Sequence, residues 1–210
     1  APDPLTVEVI TTDAACFEGT DGAASVNLLT GATLQSYSWS NNTSDPTASM
    51  LSAGIYTLTV TDFNDCTFTT DFEIGQAAQI SVDLDPTNPT CFDTADGIVE
   101  VTDVGYGGIS ADPTDFTFEW IGIAQNGPIA TGLIDDTYTV LVTDAFGCSI
   151  EESIVLSAPA EMLPLIQLVD PVSCLDSEDG SLSISTLNGT APFTYQWGVS
   201  SNNQIGDNIF

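Results

Sequence analysis

Residues 51–66 read LSAGIYTLTVTDFNDC and residues 133–148 read LIDDTYTVLVTDAFGC. Repetition at this period constrains the chain more than any other feature, because it means an array of like units and not one large core. In each copy a tyrosine, Tyr56 or Tyr138, stands ten residues before a cysteine, Cys66 or Cys148. An aspartate, Asp62 or Asp144, stands four residues before that cysteine. Tyr56, Leu58 and Val60 alternate with Thr57, Thr59 and Thr61, which is the period of a strand with one buried face. Asp–Phe–Asn–Asp and Asp–Ala–Phe–Gly then supply a turn. Each unit therefore closes on a strand that runs into a turn carrying a cysteine.

The segments ahead of the closing stretch recur in the same order. LTVEVIT at 5–11, ISVDLD at 80–85 and LIQLVD at 165–170 each open a unit as a strand. An acidic turn follows each: ACFEGTDG at 15–22, TCFDTADG at 90–97 and SCLDSEDG at 173–180. The distance from cysteine to the Asp of Asp–Gly is five residues every time, and from cysteine to Trp39, Trp120 or Trp197 it is 23, 29 and 23. The surplus of the middle unit falls in YGGISADPTDF at 105–115, a Gly/Pro-rich loop. The stretch 40–50 is polar and turn-rich, with room for a short irregular strand. The units read as residues 1–78, 79–161 and 162–210. The third stops before any closing stretch, so the expectation is an incomplete repeat and a native chain that continues. Short strands, a Trp on the third strand and frequent turns predict an all-β chain of tandem Ig-like β-sandwich repeats, beads on a string, with a small β-barrel as the alternative for each unit.

Composition removes whole classes of function. There are 30 Asp plus Glu and no Lys, Arg or His, where an average chain of this length carries roughly 25 Lys plus Arg. Nothing can neutralise phosphates, which excludes nucleic acid as a partner. A Ser/His/Asp triad, a histidine metal site and a catalytic lysine are impossible within these residues. No pair of side chains can form a salt bridge. The hydrophobic fraction of 42% supplies a core and argues against disorder. No apolar run reaches the length of a membrane span. The first residues, APDP, lack the basic and apolar regions of a signal peptide, as expected of a mature chain or an internal segment.

The five cysteines are Cys16, Cys66, Cys91, Cys148 and Cys174. No CxxC spacing occurs, so disulfides in an oxidising setting fit better than thiolate metal sites. Two pairing schemes are open. One joins Cys16 to Cys66 and Cys91 to Cys148, inside repeats. The other joins Cys66 to Cys91 and Cys148 to Cys174, between repeats. The separations are 50 and 57 in the first scheme and 25 and 26 in the second.

The acidic turns repeat Glu18 with Asp21, Asp93 with Asp96, and Asp176 with Asp179. With Asp62 and Asp144 brought to the same pole, Glu18, Asp21, Asp93 and Asp96 would form oxygen-only calcium sites. The competing role is a tight turn, for which Asp–Gly is favoured on backbone grounds alone. The EF-hand ligand spacing is missing, which puts the turn ahead.

The pattern C-[FL]-[ED]-x-x-D-G, then an aromatic strand ending in Trp, then G-x-Y-T-x-x-V-T-D-x-x-x-C resembles the SprB-type repeat. Such repeats occur in very large surface adhesins of gliding Bacteroidetes and related type IX secretion substrates. The resemblance covers two full repeats and the first half of a third. Asp135–Asp136–Thr137 departs from the usual Ala–Gly–Thr before Tyr138, and the absence of basic residues goes beyond the family pattern. The resemblance places both cysteines in one unit. It thereby implies Cys16–Cys66 and Cys91–Cys148, with a partner for Cys174 outside residues 1–210.

The expected role is structural: a stalk of repeats in an extracellular, cell-surface adhesin or filament, spacing and presenting binding sites, with gliding motility as its setting. Expected partners are neighbouring repeats, other filament subunits, and surface polysaccharide or other glycan. The rival is a calcium-dependent, lectin-like module with Trp39, Trp120, Trp197, Tyr56 and Tyr138 as a stacking platform. That rival needs exposed Trp39 or Trp120. An enzyme would have to work with carboxylates alone, as glycosidases do, yet these recur identically in every unit. No enzymatic activity is expected.

Overall fold

A computed structural model of the protein describes residues 4–175 and 177–198, together with the backbone of 205–206. Asp176 of the third acidic turn lies outside the described residues. The first repeat contains β1 (Thr6–Thr12), β2 (Gly22–Thr30), β3 (Leu34–Trp39), β4 (Thr47–Leu51), β5 (Gly54–Asp62) and β6 (Thr67–Ile74). Two three-stranded sheets result, β1-β2-β4 and β3-β5-β6. These are the A-B-E and C-F-G layers of an immunoglobulin-like sandwich without its D strand. The alternation seen in the sequence is the reason the layers meet. Leu58 and Val60 of β5 turn inward and are fully buried, as are Ala24, Ala48, Leu51 and Ile74. Trp39, opposite Leu58 across β3 and β5, fills the centre and meets the ring edge of Phe72 at 5.5 Å. Its indole N–H donates to the carbonyl of Asp45 at 2.8 Å, so the one polar atom of the ring is satisfied.

The strand directions follow from the pairings. β1 and β2 are antiparallel, as are β2 and β4, β3 and β5, and β5 and β6. Ala14, just past β1, bridges Gln76, just past β6, in parallel. Hence β1, β3, β4 and β6 all run one way. Residues 40–46 carry the chain across from one sheet to the other and do not reverse it. The β1–β2 turn with Cys16 therefore lies at the end of β6, and the β5–β6 turn with Cys66 lies at its start.

The second repeat contains β7 (Ile80–Thr87), β8 (Gly97–Tyr106), β9 (Ile109–Ser110), β10 (Phe116–Trp120), β11 (Ile129–Leu133), β12 (Thr137–Asp144) and β13 (Ser149–Val155). Its sheets, β7-β8-β11 and β10-β12-β13, repeat the order of the first; the short β9 pairs with β8. Val99, Phe118, Trp120, Val140 and Val142 are buried at the corresponding positions. The surplus loop folds as β9 and a 3-10 turn, Pro113–Asp115, the one helical segment among the described residues. The third repeat contributes β14 (Leu163–Asp170) and β15 (Ser181–Leu187), an antiparallel pair, and the short pair β16 (Trp197–Gly198) and β17 (Ile205–Gly206). The chain is all-β, built from tandem β-sandwich repeats. No helix among the described residues is long and apolar enough to cross a membrane.

Packing groups the residues into two compact units. One comprises 1–85, 99–130 and 138–154, and the other 86–98, 131–137 and 155–210. The division passes through strands of the second sandwich.

The expected disulfides are corrected here. Cys16 is bonded to Cys148, with their Cα atoms 5.5 Å apart, and Cys66 and Cys91 are free thiols. Cys16–Cys66 is ruled out by strand direction. The eight residues of β6 separate the two turns by about 26 Å at roughly 3.3 Å per residue, against the 4.4–6.8 Å that a bridge spans. Cys91–Cys148 fails alike. The backbone N–H of Ser157, past the end of β13, donates to Asn88 near Cys91 at 2.9 Å, whereas Cys148 precedes the start of that strand. The alternative scheme, Cys66–Cys91 and Cys148–Cys174, is also not what forms.

Candidate functional site

The residues marked out by the sequence are two kinds of turn, each built the same way wherever it occurs. In the acidic turn, the residue before the cysteine donates its backbone N–H to the aspartate five residues after it. The distances are 3.1 Å for Ala15 to Asp21, 3.0 Å for Thr90 to Asp96 and 3.0 Å for Ser173 to Asp179. Glu18 and Asp93 hold the left-handed conformation, both at φ 55°. Asp13 accepts from the N–H of Gly75, and Glu18 donates its N–H to the Gln76 side chain, tying the first turn to the end of β6.

In the closing turn the aspartate side chain folds back on its own backbone. Asp62 accepts from Asn64 at 2.7 Å and from Cys66 at 3.0 Å. Asp144 accepts from Phe146 and Cys148, both at 2.9 Å. The Asp62 N–H donates to the Cys66 carbonyl, and that of Asp144 to the Cys148 carbonyl. Both carboxylates are buried, which is tolerable because charge-assisted bonds from the turn satisfy them. Asp144 also accepts from the Tyr106 hydroxyl at 3.1 Å. Burial and that bond to an anion push the Tyr106 phenol above its ordinary value.

Hydrogen bonding lowers three further carboxyls. The Thr90 hydroxyl and then its backbone N–H hold the Asp96 carboxyl below the ordinary carboxylate value. Ser173 and Ser177 do the same for Asp179, and the Thr114 backbone N–H lowers Asp112.

The geometry does not gather the carboxylates of the expected calcium sites. Among the described residues no group of three carboxylates or thiols is placed to hold a metal ion. Asp21, Asp62, Asp96 and Asp144 spend carboxylate oxygens on N–H donors of their own turns, Glu18 and Asp93 are exposed, and the two kinds of turn lie at opposite ends of β6. Four of the five expected stacking residues pack in or on the cores, and the fifth, Trp197, is half-buried. Trp39 and Trp120 are buried, with the Trp120 indole N–H on the Gly127 carbonyl at 3.0 Å. Tyr138 is buried too. Tyr56 is half-buried and stacks on Phe72, its hydroxyl donating to the Ser52 carbonyl at 3.0 Å.

What the structure does bring together is Cys16 of the first acidic turn and Cys148 of the second closing turn. A cavity of about 230 Å³ borders the bond, walled by Cys16 and Phe17, by the connecting residues Ala78–Ile80, and by Cys148–Ile150. A larger groove of about 800 Å³ lies beside Cys91 and Phe92. Its other walls are the connecting residues Pro159–Met162 and the strands of the third repeat, with Ile166, Ile184 and Trp197 in the lining. Sequence reading missed Tyr106 as a partner of Asp144, for the first repeat offers no counterpart to point to it. It also missed Asp13 and Asn88, one residue type apart but in the same place, three residues before the acidic-turn cysteine.

Residues 168–201 match the family model of the SprB repeat. The chain carries a SprB-type repeat. The matched span contains the Cys174–Asp179–Gly180 turn and Trp197, the features that recur at Cys16 and Cys91. No curated protein matches the chain. Among solved structures, the three N-terminal domains of the bacteriophage RB49 highly immunogenic outer capsid protein Hoc align over 97% of this chain and 78% of theirs. The identity is 13% and the TM-score 0.40. A 282-residue C-terminal fragment of intimin, solved with the intimin-binding domain of its translocated receptor, aligns over 81% of this chain and 69% of its own, at 13% identity and a TM-score of 0.36. Extracellular cadherin domains 1–4 of protocadherin gamma B7 align over 100% and 64%, at 15% identity and 0.29. None of the three is similar enough to lend this chain a function.

Proposed function

We propose that these repeats form a spacing and presentation segment of an extracellular surface adhesin or filament, with no catalytic role. The observation that carries the reading is the bond between Cys16 and Cys148, which ties one sandwich to the next within a SprB-type array. A segment that acts by holding binding sites away from a surface needs its repeats fixed to one another, and a disulfide persists outside the cell. Repetition raises effective concentration for weak contacts, and uniform negative charge keeps neighbouring chains apart and soluble. The lack of Lys and Arg leaves no site for trypsin-like proteases. The contacts served would be with neighbouring repeats, other filament subunits and surface polysaccharide. Export by a type IX system and a part in gliding of Bacteroidetes are the cellular setting this reading carries with it.

Antibodies raised against the 210-residue chain test it on intact cells that make the parent protein. Surface labelling that disappears after external proteinase K is the expected result. Labelling only after lysis would overturn the proposal.

A further inference from the structure

We propose that Cys16–Cys148 is one rung of a repeating ladder, in which the acidic-turn cysteine of each repeat bonds to the closing-turn cysteine of the repeat after it. Cys91 is then the acceptor for the closing hairpin of a following SprB-type repeat, and that hairpin docks along the groove beside it. This goes beyond the adhesive reading and needs only an oxidising compartment.

The equivalence of the two acceptor sites is structural. Cys16 and Cys91 each follow a residue whose N–H is held by the aspartate of the turn, Asp21 or Asp96. Each precedes a left-handed residue two positions on, Glu18 or Asp93. Each turn is tied to the end of the last strand of its own sandwich, through Asp13 to Gly75 or Asn88 to Ser157. The cavity at Cys16 and the groove at Cys91 share two walls: the cysteine with its following phenylalanine, and the connecting segment to the next repeat. The third wall at Cys16 is the closing turn, Cys148–Ile150. No closing turn lines the groove at Cys91 among the described residues.

What covers the rest of the groove follows from register. Leu5 and Ile80, each eleven residues before the acidic-turn cysteine, are 8% and 5% exposed, whereas the corresponding Leu163 is 45% exposed. Two residues past the acidic-turn glycine, Ala24 and Val99 are buried, while Leu182 is 54% exposed. In the first repeat this face lies under the sheet that holds β5 and β6. The occupant that fits β14–β15 is thus the hairpin Tyr-Thr-x-x-Val-Thr-Asp-x-x-x-Cys. Cys66, exposed and free on such a hairpin, is the donor half of a rung toward a preceding repeat. Bond formation removes two electrons and two protons from the paired thiols. An external disulfide of the oxidising compartment takes them up and becomes two thiols.

The test is the full chain extended after Phe210 by a second copy of Ile134–Ala158, which supplies β12, the closing turn and β13. Peptide mapping without reduction, after Asp-N and Glu-C cleavage, is expected to find Cys16–Cys148 intact and a new bond from Cys91 to the added cysteine. In the Cys91→Ser version the added cysteine becomes free to alkylation, while Cys174→Ser leaves the new bond in place. A bond from the added cysteine to Cys174 or Cys66, or a free added cysteine in the extended chain, would overturn the ladder. As a second measurement, the same segment is offered as a peptide with its cysteine activated as a thiopyridyl disulfide. It should react at Cys91 about tenfold faster than at Cys66, once each rate is divided by that for free dithiodipyridine. Equal normalised rates would count against docking.

Discussion

At the scale of single residues the carboxylates of this chain are turn closers. Asp62 is nearly fully buried, has no basic side chain anywhere in the sequence to face, and accepts from two backbone N–H groups of its own turn. Removing a charged acceptor from buried donors costs about 1.5–3 kcal/mol. Asp62→Ala should therefore lower the unfolding free energy by about 2 kcal/mol, and Asp62→Asn by less because an amide oxygen still accepts; urea unfolding measures both. Asp96 is an exposed case with a readable titration. Its carboxyl is held low by Thr90 in the folded chain. A lowered folded value stabilises the fold above the unfolded value near pH 4, and that contribution is lost as the pH falls through the folded value. Carbon-13 titration of the Asp96 carboxyl should place its midpoint below the ordinary aspartate value, and Thr90→Val should return it upward. An unchanged midpoint in Thr90→Val would show that the Thr90 hydroxyl is not the cause.

At the scale of elements, legibility followed periodicity. Tyr56, Leu58 and Val60 mark β5 by their alternation with threonines, and Tyr138, Val140 and Val142 mark β12 by the same period. β4 and β11 were not resolved from the sequence, since each turns only two residues inward: Ala48 with Leu51, and Ala130 with Leu133. Each also carries a left-handed residue at the same position, Met50 at φ 55° and Gly132 at φ 69°, and such a kink erases alternation. The turns were legible because Asp–Gly and Asp-x-x-x-Cys have few backbone solutions. The cysteine pairing was not. It depends on the crossing at 40–46, which makes β3 and β4 run in the same direction, and nothing local distinguishes a crossing from a reversal. The pairing has a direct check. With a specific protease site placed in the connection at 75–79, cleavage should leave the two fragments covalently joined until a reductant is added. Fragments that separate without reductant would refute the Cys16–Cys148 bond. By loop closure, the separation of 132 residues corresponds to about 5 kcal/mol of stabilisation, so the urea midpoint of the uncut chain should also fall on reduction.

For the whole molecule the governing quantity is a formal charge of −30 with no basic side chain to offset it. The sandwiches hold against that repulsion through apolar burial, hydrogen-bonded turns and the disulfide. Repulsion among surface carboxylates reaches across about 30 Å at 0.01 M salt and about 8 Å at 0.15 M. The melting temperature should accordingly rise as sodium chloride is raised over that range. Divalent cations screen more strongly, and here the geometry discriminates. The aspartates that the sequence grouped as calcium ligands are engaged by their own turns and are not gathered in threes. Magnesium and calcium at equal concentration should then raise the melting temperature by the same amount, because both act as counterions. A rise with calcium that magnesium does not match would mean that exposed Glu18 or Asp93 closes a site on ion binding, and the acidic turns would regain a ligand role. Equal rises would leave the charge as a property of the surface.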